Sequence, residues 1–404
     1  NITKKDAIGL SGNHRAIFNI DEGTQDISEF IYNGRTQGDL NLDFAGSYGS
    51  VNGASWTEVG LHYGRVIIDN NQHFLKGGIT LKAMLGANAA YATIRDFNFR
   101  FNDLDTIENL AGEVFYGHTE NLINEGGYSP LSVAGFGMGV DLGFVYEWRP
   151  NYMRYKYNMD GEENLWRKDK EKYKLRIGVS LNDLGSIRFT KVPGSSDYSA
   201  NVQNVGLDFF EGVENISDLT NRLNVLPGMT QVNTGNQSFN MDLPLALTTT
   251  IDWQIKDGWF LNVTPVIAFN QGTSDQQRLH TVNSITLVPR YEHPWFGAYM
   301  PISWNQLTSF NWGLSFRAGP IVFGSGSLFS WLIREHSYGA DFFVGAKVPI
   351  PHRSPRDKDK DGVSDKRDNC KEVAGVWEFK GCPDTDLDGI PDATDECPFE
   401  AGPA

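Results

Sequence analysis

The chain has 404 residues with 10 Trp, 15 Tyr, 25 Phe, 43 Gly, only 3 Cys and a formal charge of −15. That acidity excludes a nucleic-acid footprint, which needs a basic face, and no apolar run approaches the ~18 residues of a membrane-spanning helix. A large all-β protein remains open, a membrane β-barrel included.

The chain opens NITKKDAIGL, with no apolar stretch behind a basic start, so a signal peptide is either absent or already removed. Candidate strands follow at 7–20, 39–48, 56–67 and 75–91, with 93–101 as a further possibility. The clearest pattern is 134–148. Its even positions read Ala134, Phe136, Met138, Val140, Leu142, Phe144, Tyr146 and Trp148, whereas the odd ones are Gly, Asp141, Val145 and Glu147. Successive side chains of a strand point to opposite faces, so one face is apolar and the other is small or charged. The segment 173–182 repeats the pattern, and 187–191 could hide another strand. A long connection over 183–239 contains Phe209, Phe210, Val213, Ile216, Leu219 and Leu223 at the spacing of an amphipathic helix. Such a helix could plug a barrel, dock a partner or lie on the protein's own rim. The strand 243–255 then turns through Lys256-Asp257-Gly258 into 259–269, and 281–291, 296–305, 311–322 and 338–349 complete the series.

These strands are far longer than the usual ~5–6 residues. They match a tilted membrane span of ~9–11 residues plus its ends, and aromatic residues such as Trp148, Trp295, Trp304 and Trp312 sit at strand ends. The reading is an all-β fold: a transmembrane antiparallel β-barrel of about 14 strands, with 12–16 allowed because single-chain bacterial barrels have even numbers. A soluble sandwich or solenoid is the alternative. Lumen candidates are Asp141, Glu147, Lys174, Arg176, Asp252, Arg290, Arg317, Asp341 and Lys347, whose mixed signs suit internal salt bridges as well as a selectivity ring. Counting back from a periplasmic carboxyl end puts the long connections 102–131 and 183–239 on the periplasmic side, against the usual short periplasmic turns.

None of the eight His, at 14, 62, 73, 118, 280, 293, 336 and 352, forms a metal-ligand pair at helical or finger spacing. No Gly-x-Ser-x-Gly elbow, phosphate loop or dinucleotide turn is present. The expectation is a protein that is not an enzyme.

Composition shifts at the proline-punctuated stretch 349–355, which cannot continue a sheet. This divides the chain into a body, 1–350, and a tail, 351–404, where 8 Lys/Arg face 14 Asp/Glu for a net −6. The tail carries a repeated motif. Asp357, Asp359, Asp361, Gly362, Val363, Asp365, Asp368 and Cys370 recur 27 residues later as Asp384, Asp386, Asp388, Gly389, Ile390, Asp392, Asp395 and Cys397. Calcium takes six to eight oxygens from a loop that curls around it. Carboxylates at loop positions 1, 3, 5, 9 and 12, a Gly at 6 and the carbonyl of Val363 or Ile390 at 7 meet that need, so Ca2+ is the expected ion. Position 12 holds Asp where an EF-hand has Glu, and no helical pattern flanks either loop. Cys370 and Cys382 are expected to pair as a disulfide between the loops, in an oxidising compartment. The same offset puts a partner for Cys397 beyond Ala404.

The tail is similar to thrombospondin type 3 repeats, in the form that links barrel to periplasmic domain in OmpA-family proteins. Asp395-Glu396-Cys397-Pro398-Phe399-Glu400-Ala401-Gly402-Pro403 resembles the lead-in to a peptidoglycan-binding domain. The body resembles a Bacteroidota family of outer-membrane barrels through TKKDAIGLS near Leu10, GLSFRAGPIVFGSGSL from 313, and GADFFVGAKVPI. The resemblance implies a Gram-negative outer-membrane protein, tail in the periplasm, that anchors the membrane or a complex in it to the cell wall. Its implied partners are outer-membrane lipid, peptidoglycan through a domain beyond Ala404, and other outer-membrane proteins. A docking subunit of a larger assembly or secretion machine, or a transport pore, is the alternative.

Overall fold

The alternation of apolar and polar side chains is realised as one long antiparallel meander. In the computed structural model the described residues are 2–3, 5–21, 24, 43–101, 103, 105–120, 132–192, 195, 197–213, 216–232, 237–269, 277–333, 341–346 and 355–402. The strands are β1 (Asp6–Asp21), β2 (Asp43–Asp69), β3 (His73–Phe101), β4 (Thr106–His118), β5 (Gly135–Trp148), β6 (Lys156–Met159), β7 (Glu162–Trp166), β8 (Leu175–Thr190) and β9 (Asp197–Gly206). After helix α1 (Ile216–Val225) come β10 (Met229–Val232), β11 (Ser238–Asp242), β12 (Ala246–Lys256), β13 (Trp259–Ala268), β14 (Gln277–Arg278) and β15 (Ser284–Glu292). Shorter strands follow: β16 (Phe296–Tyr299), β17 (Ile302–Asn305), β18 (Ser309–Trp312), β19 (Leu314–Ala318) and β20 (Ile321–Ser325), then helix α2 (Leu328–Ile333) and β21 (Phe343–Ala346).

The meander runs β1-β2-β3-β5-β8-β12-β13-β15, each pair antiparallel. It continues through β16 with β17, β18 with β19, β20 and β21. Pro301, which has no ladder donor, separates β16 from β17. Among the described residues no pairing joins β21 to β1, so they do not close a barrel. The boundary at 350/351, Lys347 and half of the candidate strand 338–349 lie outside the described residues.

The sheet is inside out relative to a soluble fold. On one face Leu10, Phe136 and Met138 are 76%, 67% and 79% exposed, whereas on the other Glu58, Glu147 and Asp252 are 5%, 5% and 4% exposed. Buried charge is costly unless paired, and the most buried charges of the inner face are paired, beside a buried apolar cluster of Trp56, Met84, Ile187, Phe189, Met241 and Leu243 on the same face. Arg15 of β1 reaches Asp183 of β8 at 2.8 Å, across three intervening strands, which requires the sheet to curl. Lys82 bridges Asp183 and Asp141 at 2.7 and 2.8 Å. Further along, Glu147 holds Arg149 and Arg176, and Asp252 holds Arg290 and accepts from the Tyr173 hydroxyl. Five of the charges expected to face inward thus sit in ion pairs. Of the others, Lys174 donates to the Ile255 carbonyl, Arg317 to carbonyls of the 293–296 turn, and Asp341 accepts from Gly326 and Ser327.

Two segments read as separate are single strands. The candidates 39–48 and 56–67 both fall in β2, which starts at Asp43, and 75–91 with 93–101 is β3, 29 residues long. Register shifts at Ser55/Trp56 and at Arg95/Asn98 break the alternation without ending the ladder. Beyond β5 these strands rise into an extension with β4, β9 and β10. There Phe99, Phe101, Leu110, Val202, Val205 and Leu226 form a core, and α1 lies on the same sheet through Leu223, against Tyr116 and Tyr198. The expected helical run is split, since Phe209 and Phe210 lie in a 3-10 turn (Leu207–Phe210) and α1 begins only at Ile216, and α1 packs on the protein's own sheet.

The sidedness count is corrected. The short turns at 70–72, 257–258 and 319–320, with the 149–174 connection, lie at one end, and residues 160 and 364 bring the tail to that end. The described parts of the connections 102–131 and 191–237 are at the opposite end. The strand count from the carboxyl side failed because the candidate 311–322 runs through the turn at 319–320, which separates β18 and β19 from β20, a further stave.

Candidate metal centre

The tail builds two near-identical acidic loops from local hydrogen bonding. Short Asp side chains accept backbone N–H groups of residues just ahead, and this bends the chain into a tight curl. Asp357 accepts from Lys360 and Gly362, and Asp361 from Val363 at 2.7 Å. Twenty-seven residues on, Asp384 accepts from Gly389 and Asp388 from Ile390 at 2.9 Å. The left-handed positions repeat too: Lys360 and Gly362 have φ of 68° and 90°, Leu387 and Gly389 of 63° and 95°. A side chain at such φ is strained, and Gly at position 6 relieves it.

The curl gathers carboxylates. Ligand oxygens of Asp357, Asp359 and Asp361 lie within 4.8 Å of one another, as do those of Asp384, Asp386 and Asp388. Asp368 and Asp395 at position 12 accept from Cys370 and Cys397 at 2.6 and 2.9 Å. Among the described residues, Asp359 Oδ2, Asp365 Oδ1 and Asp368 Oδ2 are buried without a hydrogen-bond partner, and so are Asp384 Oδ1, Asp386 Oδ2 and Asp395 Oδ2. Buried carboxylate oxygens left unpaired are costly, and a hard cation is the chemistry that satisfies them. Loss of hydration, then repulsion from Asp361, Asp368 and Asp357, holds Asp359 above the ordinary carboxylate range. Asp386 is raised in the same way, by loss of hydration and then by Asp388, Asp395 and Asp384.

The loops differ at position 9. Asp365 keeps one oxygen unpaired and places the other 3.5 Å from Arg356. Both oxygens of Asp392 are engaged by the Thr385 amide and hydroxyl, at 2.7 and 2.6 Å. Position 7 also differs: Val363 is 1% exposed and Ile390 44%. Cys370 and Cys382 form a disulfide, and Cys397 is free and exposed.

Three contributors lie outside the Asp-Gly-Cys motif, the first of them, Gly375 and Gly402, recurring at the same offset of 27. The Gly375 and Gly402 amides donate to Asp361 and Asp388, each at 3.0 Å, one loop bracing the far side of the ligand cluster from 14 residues away. Gly381, at φ +81°, leaves so little room that a Cβ there would lie 2.2 Å from Asp368 Oδ1. The third is Asp160, in the body. It sits with Gly161 at the turn of the β6–β7 hairpin, where both have positive φ of 55° and 79°, as a type I′ turn demands. The Asp160 amide donates to the Gly362 carbonyl at 2.8 Å, and its carboxylate accepts from the Ser364 amide and hydroxyl at 2.8 and 3.0 Å. Gly161 allows Trp377 to close on the turn, since a Cβ would lie 2.5 Å from its Nε1. The hairpin therefore clasps the first loop and buries Val363. Asp160-Gly161 is a hairpin-turn dipeptide that the sequence displays, but nothing in it links that turn to residue 364.

A family model described as a family of unknown function (DUF5723) matches residues 2–326, and the thrombospondin type 3 repeat matches 355–377 and 383–404. No curated protein and no solved structure matches the chain.

Proposed function

The chain belongs to the DUF5723 family of unknown function, and we propose that it is a β-barrel protein of the Gram-negative outer membrane whose calcium-braced tail ties that membrane, or a complex in it, to the cell wall. The observation that carries the membrane reading is the inverted sheet. Apolar side chains face outward along most staves while charged ones are buried inward in ion pairs, an arrangement stable where the outer surroundings are hydrocarbon. The paired inner face supports a filled interior over a conducting pore. The short turns and the tail share one end, which this proposal assigns to the periplasm.

Thrombospondin type 3 repeats are calcium-binding, and Asp357, Asp359, Asp361 and Asp368 would hold one ion, with Asp365 and the Val363 carbonyl completing the set. Asp384, Asp386, Asp388, Asp395 and the Ile390 carbonyl would hold a second. Bound calcium neutralises carboxylates that otherwise repel and stiffens the loops. The OmpA-type part of the proposal is that the tail leads through a domain beyond Ala404 to peptidoglycan.

Cell fractionation tests the location: the protein should enter the outer-membrane fraction and show heat-modifiable electrophoretic mobility, and recovery in the soluble fraction would refute it. Calorimetric titration of the full chain should count about two calcium ions, and Asp361→Ala should remove one. Sacculus pull-down of the full-length protein should fail for a variant stopped at residue 404.

A further inference from the structure

The outer face of the sheet carries a cavity that the anchoring role does not use. It holds about 550 Å3 and lies over β1–β4 beneath α1, where Leu219 and Leu223 roof it. Pairing of Phe18 with Gly53, Gly53 with Ala90, and Ala92 with Tyr116 puts all five on one face. That face is the one on which Val59 and Leu61 are 54% and 48% exposed further down the same strand. The hollow exists because Ala90 and Ala92 are small where their neighbours are large, while the Phe18 ring lies against Gly53 and forms one wall.

Its lining contains no Asp, Glu, Lys or Arg. It does contain Ser55, which is 6% exposed and whose hydroxyl has no hydrogen-bond partner among the described residues. A buried hydroxyl without a partner is costly, and the ladder does not need one here. Ser55 lies at the end of the hollow nearest the exposed apolar band, two residues from Gly53.

We propose that this hollow binds one acyl chain of a membrane lipid, with the Ser55 hydroxyl donating to the ester carbonyl. The chain splays out of the bilayer into the space over Ala90 and Ala92, beside the Phe18 ring and under Leu219 and Leu223. The volume suits a small ligand. With no Lys or Arg in the lining, an uncharged ester fits better than a free carboxylate. Continuity with the outward apolar face supplies the route of entry, so the inference rests on the proposal that this face meets lipid.

The test uses the full chain in nanodiscs of phosphatidylethanolamine bearing a photoactivatable diazirine near the end of one chain, with adducts mapped by mass spectrometry. The expected result is labelling concentrated on 51–55, 88–92 and 219–223, above the level at Leu61 and Leu81. Ala90→Leu, which fills the hollow, should lower the pocket labelling at least tenfold and leave Leu61 unchanged. Ser55→Ala should lower it about three- to tenfold, as loss of one hydrogen bond predicts. Pocket labelling no higher than at Leu61, or unaffected by Ala90→Leu, would overturn the inference while labelled Leu61 and Leu81 still upheld the membrane reading. Absence of adducts at Leu61 and Leu81 would instead refute the membrane reading, and this inference with it.

Discussion

Asp160→Gly should release the first acidic loop from the body. Glycine tolerates the φ of 55° at this position, so the hairpin turn and the amide bond to Gly362 survive and only the carboxylate's contacts, to Ser364 and to the exposed Arg367 at 3.7 Å, are lost. The substitution removes two hydrogen bonds to a carboxylate, from the Ser364 amide and hydroxyl at 2.8 and 3.0 Å. Bonds to charged groups contribute about 1.5–3 kcal/mol each. The Asp160 side chain is 16% exposed, and water partly replaces what is lost, so the pair is worth about 2–4 kcal/mol. That shifts docked against undocked loop by roughly 30- to 700-fold. Ser364 and Val363, 4% and 1% exposed, should become accessible. Hydrogen exchange of the 362–365 amides, measured in calcium, reads the change directly: protection should fall by that factor while β2 and β3 stay protected. Protection that changes less than about twofold would show that the loop's order is its own and that the clasp contributes nothing.

Gly381→Ala should abolish calcium binding at the first loop and spare the second, because its Cβ would press on Asp368 at 2.2 Å; calorimetry should count one ion fewer. Asp252→Ala leaves Arg290 short of its closest partner, at 2.6 Å, inside the sheet. Breaking such a pair costs about 3 kcal/mol, and the temperature of the electrophoretic mobility shift should fall. Cys370→Ser opens a link between residues 12 apart and should cost the tail about 3 kcal/mol. Faster proteolysis within 370–382, with the meander intact, is the expected sign.

The strands that could be read from the chain are those whose alternation runs unbroken. β5, β12 and β13 are legible to within a few residues because every second side chain faces outward. β2, β3 and β8 read as divided or short because bulges reverse the parity midway. In β8, Asp183 at φ 63° moves the inward set from even positions, such as Arg176, to odd ones, such as Ile187. A period-2 pattern cannot be followed through such a step. The two acidic loops were legible residue by residue, since an Asx-type curl is built from contacts within a few positions. Asp160, Gly375 and Gly381 were not, because their roles come from chain segments that meet the loops from a distance.

Local chemistry alone thus specified an all-β body, an acidic tail with two cation-shaped loops and the Cys370–Cys382 pair. Each rests on side-chain period or on spacing over a dozen residues. Tertiary structure decided which charges meet across the curled inner face, which end of the sheet receives the tail, and where small residues under α1 leave a hollow. Those outcomes depend on register and curvature, which sum small twists and bulges over hundreds of residues and leave no periodic trace in the chain.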